Sequence, residues 1–351
     1  MPLVSLMVLK HQSMASMLKT QGRTSGKRRY AAITVEDQSL RCIVAEDVGM
    51  EMVIVADKST YLELPDSDAD AGLDMDTIAY QVMKKLKIVM PMRTKFAGIG
   101  ISTPGTVDTK RKTLLDVPRK GWIKVRDVIT VLNFKDMFKN WVDDPDGDII
   151  VDNDATMSAL GERWNRAASW TPSASADDFA YIRAGVGING AAFINGRPWH
   201  GALHPEMGHI TIRPHESDPG RLYLCTIHEK CLEGSVGYER LSRLAKYHHG
   251  DWSVVDKIAG YYIAQLCHAL ALVLACPHIV ISGTTIEKAE EPERLLRCIR
   301  KSFTDLLNGY PRNTAFSDPD YITLAILPVA EASWRGALYA AMDPNHPQRH
   351  N

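Results

Sequence analysis

The sequence predicts a two-lobed α/β protein with a cleft between its lobes, and three observations predict it. A chain of 351 residues has room for about two domains at roughly 150 residues each. Its 45% apolar and 24% charged residues are the composition of a packed globular protein. Val- and Ile-rich strand patterns precede helical ones in each half, so each half can build its own sheet, and such folds place ligands between the halves.

The same numbers exclude several classes. With 41 Lys plus Arg against 42 Asp plus Glu, the formal charge is -1, which gives no global attraction to nucleic acid or anionic membrane. The longest apolar stretch, around Ala269 to Cys276, is far short of the ~18 residues of a spanning helix. Six cysteines in a chain this long are no disulfide scaffold. Cys42, Cys267, Cys276 and Cys298 read as small buried hydrophobes in a reducing compartment. We therefore expect a soluble cytoplasmic protein with no nucleic-acid or membrane partner.

Residues 1–29 carry Lys10, Lys19, Arg23, Lys27, Arg28 and Arg29 and no Asp or Glu. This segment reads either as a solvated disordered tail or as an organelle transit peptide. A nucleic-acid-binding tail is less consistent with it, because no aromatics interleave the charges.

From Tyr30 the pattern changes, with a first lobe expected over 30–150 and a second over 151–345. Tyr30–Val35, Leu40–Ala45 and Met50–Ala56 read as strands. Asp66–Asp76 is acidic and loop-like, and Met75–Lys87 has helical spacing. Phe96–Ser102 is a buried strand ended by Thr103-Pro104-Gly105. Asp148–Val151 is another, followed by a helix over Ala155–Ala167 and a Ser/Pro/Ala linker over Trp170–Asp178. Phe179–Arg183 and Gly190–Ile194 form a strand pair around a glycine loop. Val254–Cys276 is a helix apolar on nearly every face, hence interior. His278–Ser282 is a buried strand, and Glu287–Leu307 a helix.

One segment carries metal-site spacing. His209, then Cys225-Thr226-Ile227-His228-Glu229-Lys230-Cys231, offers two thiolates and two imidazoles. Cys, His and Cys three apart can converge from one tight loop, with the fourth ligand arriving from outside. That is the donor set of a closed structural zinc site, here a zinc loop over 209–231. The bland alternative is a chance C-x-x-H-x-x-C in a loop.

The blocks around that loop are Asn195-Gly196-Arg197-Pro198-Trp199-His200-Gly201, His204-Pro205-Glu206-Met207-Gly208-His209-Ile210 and Cys231-Leu232-Glu233-Gly234. Upstream stand Gly100-Ile101-Ser102-Thr103-Pro104-Gly105-Thr106-Val107-Asp108 and Val151-Asp152-Asn153-Asp154 through Ala159-Leu160-Gly161-Glu162. Together they resemble the sugar kinases of the ROK (repressor/ORF/kinase) family, most closely its zinc-containing fructokinases, from about Phe96 to Tyr310. The resemblance implies the two-lobed actin-like ATPase (ribonuclease H-like) fold, Mg-ATP and a hexose as ligands, and a homodimer.

By that resemblance, Asp154 is the general base, a role that needs a carboxylate within hydrogen-bond reach of the attacking hydroxyl. Helix N-capping is the alternative for Asp152 and Asp154. Asn153, Glu206, His209 and Glu233 match sugar-binding positions, with His209 shared between zinc and sugar. Pro118–Trp122 matches a further segment on the sugar side, and Glu162 reads as a structural helix residue. Gly185, Gly187, Gly190, Gly283 and Thr284 match the nucleotide loops.

Those loops depart from the family pattern. The first phosphate turn, Asp-x-Gly-Gly-Thr-Lys in the family, reads Thr34-Val35-Glu36-Asp37-Gln38-Ser39, which places carboxylates where backbone would meet phosphate. Val186 stands for a Thr, Ala191 for a Gly, Ser282 for a Gly and Thr156 for an Asn. Two functions follow as expectations: an ATP-dependent hexose kinase of fructokinase type, or a sugar- and zinc-binding sensor on the same fold with impaired catalysis.

Overall fold

A computed structural model describes residues 8–9, 27–36, 39–48, 51–61, 84, 95–116, 132–166, 177–220, 223–225, 227–228, 230–343 and 345–349. The Asp66–Asp76 loop, the Pro118–Trp122 segment, and Asp37 and Gln38 of the first phosphate turn lie outside these residues. So do most of the Trp170–Asp178 linker, most of segment 1–29 and all of the Met75–Lys87 helix except Lys84, which is helical. The chain divides into two compact units, 1–169 with 330–351, and 170–329.

The first unit holds strands β1 (Val8–Leu9), β2 (Arg29–Glu36), β3 (Ser39–Val48), β4 (Glu51–Tyr61), β5 (Gly98–Thr103), β6 (Thr106–Asp108), β7 (Thr113–Asp116), β8 (Leu132–Asn133) and β9 (Ile149–Asn153). It also holds helices α1 (Phe134–Phe138) and α2 (Asp154–Arg166). Six strands make one sheet in the order β1-β4-β3-β2-β5-β9. β2, β3 and β4 form an antiparallel meander, whereas β5 runs parallel to both β2 and β9. All six residues of β5 are buried, which is why this stretch reads as a continuous apolar run rather than an alternation. Ile33, Phe96, Ile99, Ile101, Phe138 and Ile149 are among the residues of this unit's core.

The β7 end of the small β6–β7–β8 sheet is pinned by one lysine. Lys112, 2% exposed, donates from Nζ to the backbone carbonyls of Pro145, Asp146 and Ile149. An ammonium with three carbonyl acceptors satisfies all its donors.

The second unit holds β10 (Phe179–Ala184), β11 (Ile188–Ile194), β12 (Arg197–Pro198), α3 (Leu232–Val236), α4 (Tyr238–Tyr247), α5 (Trp252–Val273), β13 (Ile279–Ser282), α6 (Thr284–Glu287), α7 (Pro292–Leu307) and β14 (Ile322–Leu324). Its sheet runs β12-β11-β10-β13-β14, with β10, β13 and β14 parallel. Ile182, Leu232, Tyr262, Ile281, Ile299 and Phe303 are part of the core. Asp218 and Arg240, both with fully buried side chains, tie the 210–220 loop to α4 through two contacts from Arg240 Nη2 of 2.7 and 2.8 Å. The Tyr262 hydroxyl on α5 adds a third at 2.6 Å.

The chain then returns. α8 (Val329–Met342) lies against β5 and α2 of the first unit at backbone distance: a Cβ on Gly100 would fall 1.8 Å from the Ala337 carbonyl oxygen, and one on Gly336 would fall 1.7 Å from that of Met157. Ser102 and Ser333 share a buried hydrogen bond of 2.9 Å across the same contact. This corrects the lobe boundary expected at 150/151, which falls inside β9. Because β9 pairs with β5 and α8 packs on β5, the first unit keeps 151–169 and takes back 330–351. The helix expected over Glu287–Leu307 starts instead at Pro292, which fits the first turn of α7 and not a helix interior, and Glu287 ends the separate α6.

Candidate functional site

In the first unit the chemistry stands where β9 becomes α2 without a loop. Asn153 ends the strand and Asp154 opens the helix. Asn153 Oδ1 accepts the Thr156 amide at 2.7 Å, so Asn153 is the cap, and the alternative in which Asp152 or Asp154 caps is corrected. Asp152 Oδ1 instead accepts the Asn153 amide at 2.8 Å. With the cap supplied by its neighbour, Asp154 places a carboxylate at the positive end of the helix, 5% exposed. Asn153 is wholly buried, and among the described residues its Nδ2 donor meets no acceptor. A buried amide donor left unmatched costs roughly 1–3 kcal/mol, which fits a position awaiting a ligand oxygen. Thr103 lies beside Asn153 in the parallel register.

In the second unit the four metal-type donors converge. His209, Cys225, His228 and Cys231 place their ligand atoms within 4.8 Å of one another. His209 Nδ1 is 3.8 Å from Cys225 Sγ, 3.8 Å from Cys231 Sγ and 3.2 Å from His228 Nδ1, and Cys225 Sγ is 3.9 Å from His228 Nδ1. Zinc bonds of about 2.3 Å to sulfur and about 2.0–2.1 Å to nitrogen set tetrahedral edges near ~3.6 Å for S···N and ~3.3 Å for N···N, so the donor set fits that ion. Cys225 Sγ also receives the amides of Ile227 at 3.4 Å and His228 at 3.3 Å. Burial pushes the Cys231 thiol up to about 11, so a thiolate there at neutral pH needs a cation beside it.

Local packing explains how these residues meet. Met207–His209 is a single 3-10 turn lying on β11, and a Cβ on Gly208 would sit 1.7 Å from the Ile188 carbonyl oxygen. Cys231 bridges to Thr211 and immediately precedes α3. The Leu232 amide donates to Ile210 at 3.0 Å, and the Leu224 amide to Gly234 at 3.1 Å.

The His209 ring has two different faces. Its Nδ1 meets the sulfurs, while its Nε2 lies 3.9 Å from Glu206 Oε2 and 3.9 Å from Glu233 Oε1. The three expected hydroxyl-binding residues of this unit are thus neighbours, and two carboxylates flanking an imidazole suit vicinal hydroxyls. Sequence reasoning missed His204, whose Nε2 lies 2.9 Å from Glu206 Oε1. Its signal was the His204-Pro205-Glu206 spacing.

The glycine positions separate. Gly185 and Gly187 form the β10–β11 turn, closed by the Gly185 amide on the Gly187 carbonyl at 2.6 Å. Gly283, at φ +108°, precedes α6, and a Cβ on it would meet the Ala184 carbonyl at 2.0 Å. A Cβ on Gly185 would stand 3.1 Å from Thr284 Oγ1, and Thr285 Oγ1, also missed in the sequence, donates to the Gly185 carbonyl at 3.3 Å. Gly190 belongs elsewhere: inside β11 it pairs with Ile182, and a Cβ there would fall 2.6 Å from Met207 Sδ. It seats the Met207–His209 turn rather than lining the loop. Beside Gly283, a cavity of about 220 Å³ is lined by Ser282, Ile286, Glu287 and the Leu324–Pro328 stretch.

Comparison with known proteins matches residues 74–342 to the ROK family. The chain is 26% identical over 244 residues to the fructokinase of Zymomonas mobilis, covering 66% of this chain and 73% of that one. It is 29% identical over 280 residues to the glucokinase of Halalkalibacterium halodurans, covering 69% and 77%. Among solved structures, the ROK family glucokinase from Streptomyces griseus in complex with glucose and AMPPNP superposes with a TM-score of 0.61 at 19% identity, covering 90% of this chain and 98% of that one. A likeness at that identity establishes the fold, that of the actin-like ATPases. Among the described residues, no helix is long and apolar enough to cross a membrane.

Proposed function

We propose, from the premise that this chain belongs to the ROK family, that it is a carbohydrate kinase transferring the γ-phosphoryl group of Mg-ATP to a hexose hydroxyl, with fructose as the acceptor. The observation that carries the reading is the two-faced His209, which turns Nδ1 to a tetrahedral donor set and Nε2 to the Glu206 and Glu233 carboxylates. A metal bound by His209, Cys225, His228 and Cys231 supplies a fixed cross-link and no reacting position, since four protein ligands fill a tetrahedron. That cross-link sets the ring plane of His209 and, through it, the spacing of the two carboxylates.

In this reading Glu206, His209 Nε2 and Glu233 hold sugar hydroxyls, and Asn153 Nδ2 donates to a sugar oxygen. Asp154 accepts the proton of the attacking hydroxyl as the O–P bond forms, a step that general bases accelerate about 10²–10⁴-fold. Gly185, Gly187, Gly283 and Thr284 present backbone to the nucleotide phosphates, and the Mg²⁺ that accompanies them screens charge on the transferred group.

A second reading, a sugar sensor that transfers no phosphoryl group, is favoured by one observation. Val186 stands 62% exposed at the tip of the β10–β11 turn, an apolar side chain at the position where the family pattern has a hydroxyl. A coupled assay with metal-loaded protein, Mg-ATP and a panel of hexoses decides between the two. Turnover highest with fructose is the expected result. No turnover with any hexose, while sugar binding remains measurable by calorimetry, sinks the kinase reading and leaves the sensor.

A further inference from the structure

We infer that His204 is a positioning residue that fixes which oxygen of Glu206 is offered to the sugar, an inference resting on the reading of Glu206 as a hydroxyl-binding carboxylate. The His204 side chain has no solvent exposure, whereas that of Glu206, two residues later, is 41% exposed. The buried imidazole meets that solvent-facing carboxylate directly, Nε2 to Oε1 at 2.9 Å. The pairing sorts the two oxygens, Oε1 to His204 and Oε2 toward His209 Nε2 at 3.9 Å. A carboxylate held at one oxygen cannot spin about its last torsion, so the other keeps a constant direction. Pro205 between them holds its own φ near -65° and shortens the list of geometries that could undo the pair.

The burial also assigns the tautomer. An ionised carboxylate only accepts, so the Nε2 facing it carries the proton. Among the described residues His204 Nδ1 meets no partner. In the Nε2–H form that atom is a bare lone pair, whereas in the other forms it would be a buried unmatched N–H, the costlier case. His204 is therefore a fixed single donor aimed at Glu206. His209, which faces the same carboxylate, keeps Nδ1 for the metal-type donors.

The test uses the full-length, metal-loaded protein and three variants: His204→Gln, whose amide nitrogen can take the place of Nε2, His204→Leu, which fills the space without a donor, and Glu206→Gln. Metal content and melting temperature confirm that each is folded. Losing a partner that orients a ligand costs about 10–100-fold. Hexose KM is expected to rise by that factor in His204→Leu, with the KM for ATP unchanged, and to return to within about threefold of wild type in His204→Gln. In a double variant with Glu206→Gln, His204→Leu should add nothing further. Nitrogen NMR should show His204 protonated at Nε2 only. The inference is overturned if His204→Leu binds hexose as wild type does while Glu206→Gln does not, or if His204→Gln is as impaired as His204→Leu. If Glu206→Gln itself leaves hexose affinity intact, the fault lies with the role given to Glu206, not with the pairing.

Discussion

Asn153 and Asp154 stand where a buried parallel strand becomes a helix, with both neighbours of that junction in regular structure. His209, Cys225, His228 and Cys231 stand on a stretch whose described regular structure between Gly201 and Cys231 is one 3-10 turn and one bridge. The first site inherits its rigidity from hydrogen-bonded ladders and from α8 lying on β5 at backbone distance. The second has few ladders to inherit from, so it is fixed at one end by the buried Asp218–Arg240 pair and at the other by four donors that fit one ion. The contrast teaches that a carboxylate can be placed by secondary structure alone, whereas a cluster of side chains built from loops relies on buried pairs and, under the proposed reading, on a bound ion.

The sharpest break in that comparison is at Asp154. The Thr156 amide is taken by Asn153 Oδ1 and not by Asp154, so Asp154→Asn should leave stability near wild type and lower kcat by about 10²–10⁴-fold. Calorimetry with hexose should show binding retained. Loss of folding or of sugar affinity instead would mean that Asp154 is structural after all.

Next is removal of the proposed zinc. Cys231→Ser, or treatment with a chelator, should release about one zinc per chain, lower hexose affinity by about 10–100-fold, and expose the amides of residues 204–236 to hydrogen exchange. The amides of β5, β9 and α2 should exchange as before. Equal loss of protection in both regions would abolish the distinction between a laddered site and a cross-linked one.

A complementary change strikes the first unit. In Gly336→Ala the new Cβ would stand 1.7 Å from the Met157 carbonyl oxygen, a backbone atom that cannot swing aside. Overpacking of this kind costs about 1–3 kcal/mol, and a urea titration should show it while zinc content stays at wild-type level. An unchanged midpoint would mean that α8 can shift away from α2.

The sequence made this division partly legible. Val and Ile runs marked β2, β5, β9 and β13, and the all-round apolar face of α5 marked an interior helix, because burial on both sides writes itself into consecutive residues. The donors His209, Cys225, His228 and Cys231 were legible because their spacing is itself chemical information. What escaped was long-range. α8 was not found, since its Ala, Gly and Ser face is shaped by a partner surface and shows no strong apolar period, and its return to β5 moved the boundary between the units. Asn153, rather than either flanking Asp, took the helix cap because strand β9 ends on it, which local propensity does not decide. Gly190 matched a nucleotide loop by the family resemblance, and it lies inside β11, packed under Met207.

The smallest expected effect tests whether the first unit needs anything beyond its ladders. Burial pulls the Lys112 ammonium down to about 8, below the ~10.4 of an unfolded lysine. Below about pH 8 the group is charged in both states, with three carbonyls accepting its protons in the fold. Between about pH 8 and ~10.4 the folded protein has released a proton that the unfolded chain still holds, so stability rises with pH across this window. The rise should be on the order of 1 kcal/mol, because the Pro145, Asp146 and Ile149 carbonyls favour the charged form against burial. Urea midpoints measured from pH 7 to 10 should show the increase in wild type and not in Lys112→Met. If both proteins follow one curve, the lysine keeps its proton throughout, and the three carbonyls outweigh the cost of burying the charge.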